Sequence, residues 1–144
     1  MTINTVLLSP ETKAMRREKL SGAVISPTML LDVSSGEIVP HATADAKPAI
    51  LRIADINVGS AGDIDTDYAD GEIVNYVEGM SNGEYVAVTI AASQTIAAGG
   101  ELASNGAGLL KSPAVAGTGV IYIADEAVTT GVGETAIIRA QVAV

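Results

Sequence analysis

Two segments of the chain alternate between apolar and polar positions with the period of two that is typical of half-buried β-strands. In residues 84–90, Val86, Val88 and Ile90 share one face. In residues 135–144, every second residue from Ala136 onwards is apolar. Both segments are therefore predicted to be strands that turn one side towards a core.

Shorter apolar runs predict further strands at 29–33, 49–56, 72–77 and 120–124. Residue types that favour tight turns separate the predicted strands: Ser34-Ser35-Gly36, Asp70-Gly71, Ser81-Asn82-Gly83, Ala98-Gly99-Gly100 and Asn105-Gly106. Short strands at this spacing, without a convincing helical stretch after residue 22, indicate a mainly β fold, a small β-barrel or sandwich.

The first 22 residues differ in character and are predicted to form an extended N-terminal arm with at most one short helix, followed by a single β-rich domain over 23–144. Ser9, Pro10 and Glu11 favour a helix start, because they combine a capping side chain, a proline at the first helical position and an early acid. This helix would extend to Leu20. A helix of about eleven residues is marginal alone, so we expect the arm to become ordered against the body or a partner.

The apolar fraction of 48% consists largely of small residues, with 23 Ala among them. Four tyrosines are the only aromatic residues. Large rings normally supply much of the buried area of a core, so a core of this composition buries little surface per residue. We therefore expect the protein to pool surface with further copies of itself.

Charge is distributed unevenly along the chain. The net charge is −9, yet residues 1–20 carry four bases against two acids, and the rest of the chain carries 15 acids and four bases. No base occurs within 53–110. Such an acidic body repels phosphate backbones, which argues against nucleic-acid binding. The arm is suited instead to an acidic protein surface, with a solvated tail as the alternative; its bases are Lys13, Arg16, Arg17 and Lys19.

The sequence lacks the features of membrane and secreted proteins. Its longest stretch without charge, residues 85–100, is too short and too polar to cross a bilayer. No basic segment followed by an apolar run stands at the N-terminus, so we expect a soluble protein made in a cytoplasm. The absence of cysteine excludes disulfides, thiolate nucleophiles and sulfur-ligated metal centres.

An acidic run at 63–72 is the main candidate for cation binding. Carboxylates at Asp63, Asp65, Asp67 and Asp70 suit a hard cation such as calcium. An EF-hand loop beginning at Asp63 would require glycine at its sixth position and glutamate at its twelfth, and the chain has neither. We interpret the run as an acidic surface loop that leads into a strand, with an irregular calcium site as the alternative.

No pattern in the sequence indicates an enzyme or a cofactor. His41 is the single histidine and follows Pro40, so we interpret it as a loop residue. Gly131, Gly133 and Ala136 have the spacing of a dinucleotide-binding fingerprint, but the few residues that follow alternate like a strand, where that fold needs a helix. Paired carboxylates could serve glycoside chemistry, yet the aromatic residues that would bind a sugar are nearly missing.

Four segments, taken in their order and spacing, carry the motifs of one protein family. Residues 22–31 contain a small residue, Ile, a polar residue, Pro and Met before Leu, and residues 36–44 have the character of an exposed hairpin. Residues 63–74 contain Ile-Asp-x-x-Tyr-x-x-Gly-Glu, and 95–108 contain Ile-x-x-Gly-Gly-Glu-Leu-x-Ser-x-Gly-x-Gly. Together they resemble the head decoration (capsid cement) proteins of tailed bacteriophages. The acid differs at two positions where that family has Asp: Glu72 and Glu101.

This resemblance implies a structural virion protein that decorates the outer surface of a phage capsid and stabilises the head. Its partner would be the major capsid protein, whose neighbouring subunits it would bridge as a homotrimer at local three-fold positions, after synthesis in the host cytoplasm. The basic arm would make the capsid contact, and no cofactor, nucleic acid or membrane would be involved. The alternative is a phage tail or surface module that recognises a glycan or receptor through Tyr68, Tyr76 or Tyr85.

Overall fold

The computed structural model describes residues 3–9, 12, 14–57 and 62–144. These residues form twelve β-strands and no helix, which confirms the predicted β-barrel or sandwich class. No helix in the described ranges is long and apolar enough to span a membrane. The strands are β1 (Met15–Leu20), β2 (Leu31–Ser34), β3 (Glu37–Pro40), β4 (Arg52–Ala54), β5 (Ile73–Glu78), β6 (Tyr85–Ile90), β7 (Thr95–Ile96), β8 (Glu101–Ser104), β9 (Leu110–Lys111), β10 (Val120–Ala124), β11 (Val128–Thr129) and β12 (Ala136–Val142).

Five strands close into a barrel in the order β10-β12-β6-β9-β8. Its longest pairing is antiparallel and runs between β6 and β12, with Ile90 opposite Ala136 and Tyr85 opposite Gln141. The main hydrophobic core fills the barrel. The alternation that predicted these two strands places the expected side chains in this core: Val86, Val88, Ile90, Ile138, Ala140 and Val142.

A three-stranded sheet, in the order β1-β5-β4, packs beside the barrel. Its middle strand serves two cores, because Val77 belongs to the main core whereas Val74 and Tyr76 belong to a second hydrophobic cluster. The β2-β3 hairpin covers this second cluster with Leu31 and Ile38. The small sheet therefore joins the barrel on one face and the hairpin on the other.

The predicted helix in the N-terminal arm is wrong, because residues 15–20 form strand β1 and pair antiparallel with β5. Ser9 caps no helix: its hydroxyl accepts a hydrogen bond from the backbone N–H of Tyr85 at 2.7 Å. Pairing with β5 extends over six residues and satisfies the backbone groups of alternate ones, whereas a short helix with a small apolar face would be marginal. Pro10 and Glu11, which supported the helix, lie outside the described residues.

Candidate functional site

Strand β1 forms an edge of the small sheet. The carbonyl of Asn75 on β5 accepts a hydrogen bond from the backbone N–H of Asp55, which directly follows β4. The backbone groups of its neighbour Tyr76 therefore point to β1 and meet Arg17. Alternate residues of an antiparallel strand direct their backbone groups to opposite sides, so those of Arg16 and Glu18 point away from β5. No described residue pairs with this outer edge over 15–19.

The strand with this open edge, β1, carries three basic side chains: Arg16, Arg17 and Lys19. Arg16 Nε lies 3.1 Å from Asp55 Oδ2, yet 70% of the Arg16 side chain remains exposed. Lys19 is half-buried and forms no ion pair with another described residue. A shallow cleft of about 230 Å³ beside β1 is lined by Arg16, Glu18 and Asp55, among others. Lys13, the fourth predicted base of the arm, lies outside the described residues.

Glu78 fastens β1 to the rest of the sheet. This residue of β5 forms ion pairs with Arg17 of β1 and with Arg52 of β4, the latter at 3.0 Å. Only 13% of the Glu78 side chain is exposed, so one carboxylate holds two cations at a nearly buried position. The ion pair with Glu78 occupies the guanidinium of Arg17. Arg16 and Lys19 are therefore the bases of β1 best placed to contact a partner.

The acidic run does not gather into one cluster. Asp63 turns back on its own loop, where its Oδ1 accepts hydrogen bonds from the Asp65 backbone N–H and the Thr66 hydroxyl, both at 3.0 Å. Within the described ranges, no three acidic, histidine or cysteine side chains come together as a metal ion would require. Asp65 and Asp67 instead share a cleft, whereas Asp70 does not line it.

This cleft, of about 260 Å³, lies where the outer face of the barrel meets two loops. Thr89 of β6 and Ile137 of β12 face each other on the barrel side. One loop contributes Met29, and the other contributes Asp65 and Asp67. The remaining lining side chains are the apolar Pro27, Ile64 and Leu109 and the hydroxyl-bearing Ser26 and Thr135.

Thr28 holds a strained backbone beside the cleft. Its φ of 76° lies in the left-handed region, which a β-branched residue rarely adopts. The side chain is buried, and its hydroxyl is hydrogen-bonded to the hydroxyl of Thr89 on the barrel. This bond links the loop at 26–29 directly to β6 and offsets part of the strain.

Ser104 and His41 lie side by side in the interior of the protein, with the half-exposed Asp32 beyond them. His41 follows β3 as a loop residue, as predicted, and is buried; its Nδ1 lies 2.8 Å from Ser104 Oγ and its Nε2 lies 4.0 Å from Asp32 Oδ2. Ser104 is fully buried, and its hydroxyl accepts a hydrogen bond from the Gly106 backbone N–H. A substrate cannot reach that hydroxyl, so the arrangement ties the loop after β3 to β8.

The tyrosines do not form an exposed stacking surface together. Tyr68 and Tyr76 are buried, so neither can stack against a sugar ring. Tyr85 is half-exposed, and the guanidinium of Arg139 lies over its ring at 5.3 Å from the centroid. Of the three tyrosines considered for glycan recognition, only Tyr85 is accessible, and Arg139 lies over its ring.

No family model matches the sequence, and no curated protein matches it. Among solved structures, the chain is similar to the crystal structure of the head fiber gp8.5 N base in bacteriophage phi29, with a TM-score of 0.58. The two chains share a fold. The match covers 90% of this chain and 94% of the other. Sequence identity is 16%, at which level the likeness concerns the fold alone.

Sequence reasoning located the bases of β1 and the acids of the 63–72 loop but missed the cleft. Its lining residues come from five separate parts of the chain, and no local pattern connects them. The strain at Thr28 also has no sequence signal, because left-handed backbone is expected at Gly or Asn rather than at Thr.

Proposed function

We propose that this chain is a structural protein of a bacteriophage head, which binds the outer surface of the capsid and stabilises it by bridging neighbouring major capsid subunits. The observation that carries the proposal is the fold shared with a head fiber base over almost the whole length of both chains. The order of the motifs at 22–31, 36–44, 63–74 and 95–108, which resembles that of head decoration proteins, supports a decorating role.

The capsid contact that we propose is the outer edge of β1. An extended segment of a capsid subunit can add to this edge, because the backbone groups of Arg16 and Glu18 point outwards. The exposed guanidinium of Arg16 and the ammonium of Lys19 favour a segment that carries acidic side chains. Main-chain hydrogen bonds would provide affinity, and the two bases would select the partner.

The assembly that we propose is a homotrimer at local three-fold positions of the head. A trimer presents three copies of β1 to neighbouring capsid subunits, and multivalent attachment gains avidity without strong single contacts. The small-residue composition, with 23 Ala and no Phe or Trp, supports a protein that gains part of its buried surface from assembly.

The first test combines solution mass with binding to empty heads of the phage that encodes the chain. Light scattering is expected to give three times the 14.5 kDa of one chain, and the protein is expected to co-sediment with the heads. A monomer that co-sediments would contradict the preformed trimer only. A protein that stays in the supernatant would overturn the proposed function.

Two pairs of variants test the role of β1 without removing it. Deleting residues 1–20 would also take Val6 out of the main core, so point substitutions are the sharper choice. Glu18→Pro removes an outward N–H and is expected to abolish head binding, whereas Glu18→Ala retains it. Lys19→Glu is expected to weaken binding and Lys47→Glu, at an exposed loop position, to leave it unchanged. Equal binding by both members of each pair would exclude the β1 edge as the contact.

A further inference from the structure

We propose that the cleft between the barrel and the 26–29 and 62–67 loops is a second docking site, which receives the side chain of a lysine or arginine from an extended segment of a partner protein. The cleft is separate from the β1 edge, since none of its lining residues belongs to that strand. The inference rests on the proposed function only in naming the major capsid protein as the partner.

The size of the cleft limits what it can hold. Pockets for cofactors and drug-sized ligands usually enclose about 300–1,000 Å³. At about 260 Å³, this cleft is smaller and suits one long side chain with part of its neighbour. This size favours a protein side chain over a cofactor.

The lining of the cleft favours a long aliphatic stem. Met29, Ile64, Leu109 and Ile137 supply apolar surface on several sides, with Thr89 at the barrel. Lysine and arginine bury their methylene groups along such surfaces while the charged end stays near water or a counter-ion. An acidic side chain would place its charge against the apolar walls, because its stem is too short to reach past them.

The charge at the rim favours a cation. Asp65 and Asp67 are exposed and line the cleft, and neither forms an ion pair with another described residue. By contrast, Asp45, Asp55 and Asp125 each lie within ion-pair distance of a base. No base occurs within 53–110, so the rim has no neighbour in sequence that could neutralise it. A partner's base would supply the missing counter-charge.

A metal ion fits this site less well than an organic cation. Calcium takes six to eight oxygen ligands, whereas the cleft offers two carboxylates, and no third acid joins them among the described residues. Asp63 points its Oδ1 at its own loop. The apolar walls, moreover, contribute nothing to a metal but do contribute to a methylene stem.

The hydrogen bond between Thr28 and Thr89 keeps the cleft in shape before the partner arrives. It fastens the 26–29 loop to β6, so Met29 and Thr89 hold their separation. A preformed cleft requires less ordering when it binds, which improves affinity for a single anchoring side chain.

The test uses three capped pentapeptides, Ala-Val-X-Val-Ala, in which X is lysine, norleucine or glutamate. Binding is followed by NMR through the amide signals of Thr89, Leu109, Thr135 and Ile137, which line the cleft. The lysine peptide is expected to shift these signals and to bind about tenfold more tightly than the norleucine peptide, and the glutamate peptide is expected not to bind. Equal binding of the lysine and norleucine peptides, or shifts confined to other residues, would overturn the proposal.

A matched pair of double variants separates the site from the overall charge. Asp65→Asn/Asp67→Asn removes two charges at the rim, and Asp70→Asn/Glu126→Gln removes two charges from exposed positions outside the cleft. The Asp65→Asn/Asp67→Asn variant is expected to lose about tenfold in affinity for the lysine peptide, and the Asp70→Asn/Glu126→Gln variant to lose little. Both are expected to keep the melting temperature of the parent. Equal losses would mean that net charge alone attracts the peptide, against the proposal.

Binding to empty heads then tests the identity of the partner. If the parent binds heads, Asp65→Asn/Asp67→Asn is expected to bind at least several-fold more weakly than Asp70→Asn/Glu126→Gln. Equal head binding by the two double variants would overturn the capsid subunit as the occupant of the cleft. Loss of the trimer in Asp65→Asn/Asp67→Asn alone would overturn it too, because the occupant would then be a second copy of this chain. Failure of the parent to bind heads would contradict the proposed function. The peptide titration would still show whether the cleft binds a lysine side chain.

Discussion

The hydroxyl of Tyr68 donates a hydrogen bond to the backbone carbonyl of Ile56 at 2.7 Å, which ties the acidic loop to the chain that leaves β4. The carbonyl of Asp55 lies nearby, at 2.9 Å from the same hydroxyl. Burial raises the pKa of Tyr68. Tyr122, in the barrel core, presents the opposite case: its hydroxyl is buried and has no hydrogen-bond partner among the described residues, and burial raises its pKa as well.

These two tyrosines predict opposite effects of the same substitution. Tyr68→Phe removes a buried hydrogen bond and leaves carbonyl groups unsatisfied, so the free energy of unfolding is expected to fall by about 1–2 kcal/mol. Tyr122→Phe removes only an unsatisfied hydroxyl, so it is expected to leave stability unchanged or to raise it by up to about 1 kcal/mol. Urea unfolding of the two variants checks both values, and a loss at Tyr122 as large as that at Tyr68 would contradict the assignment.

Glu78→Gln is expected to loosen β1 more than the barrel. The substitution removes the charge that pairs with Arg17 and Arg52, and we expect a loss of about 1–2 kcal/mol, because Glu78 is nearly buried while Arg17 is half-exposed. Hydrogen exchange should accelerate at the amides of β1 before those of β12. Glu126→Gln, at an exposed position, serves as the control, and uniform acceleration across both strands would argue against a local role for Glu78.

The strain at Thr28 predicts that a glycine variant is more stable than a valine variant at this position. Thr28→Gly relieves the left-handed backbone, which costs roughly 1–3 kcal/mol for a β-branched residue, but it loses the bond to Thr89, so the net change is expected to lie near zero. Thr28→Val keeps the strain and loses the bond, so it is expected to destabilise by about 2 kcal/mol. Thermal unfolding distinguishes them, and a glycine variant less stable than the valine variant would contradict the strain at this position.

Asp45 predicts a specific dependence of stability on pH. Its side chain accepts hydrogen bonds from Lys111 Nζ and the Ala114 backbone N–H. These contacts, of which the one with Lys111 has the larger effect, hold the pKa of Asp45 below its ordinary value of 3.8. A depressed pKa in the folded state means that the stabilisation is present above the ordinary pKa and disappears as pH falls through the folded pKa. Asp45→Asn is therefore expected to reduce stability at neutral pH and to flatten its decline below about pH 4. Denaturant titrations at several pH values, with Glu126→Gln alongside, measure the slopes; parallel slopes for Asp45→Asn and the parent would refute the linkage.

The sequence was sufficient where a strand has one face in the main core. The strands predicted at 84–90 and 135–144 match β6 and β12 closely, because alternation reports burial on one side. The apolar run at 120–124 matches β10, whose residues are mostly buried. The strand predicted at 49–56 shortens to Arg52–Ala54, since periodicity says little about where backbone pairing stops.

Other elements depend on contacts that local patterns do not encode. Strands β7, β9 and β11 have two residues each and exist only through their partners. Strand β1 is rich in charge and mostly exposed, so neither its burial nor its composition distinguishes it from a helix; pairing with β5, far along the chain, decides its conformation. The bases of the candidate contact were thus identified, while the strand edge that displays them was not.

The position of β12 in the barrel has a consequence for the order of events during synthesis. This strand is hydrogen-bonded on both sides, to β10 and to β6, so the barrel cannot close until residues 136–142 have left the ribosome. Strand β6 emerges much earlier, and its apolar face must wait without its partner while the intervening chain is made. Strand β6 can pair with residues 6–8, which are made before it, but its edge towards β12 stays open on the ribosome. Slow translation of the segment between β6 and β12 would lengthen the period during which nascent chains can aggregate.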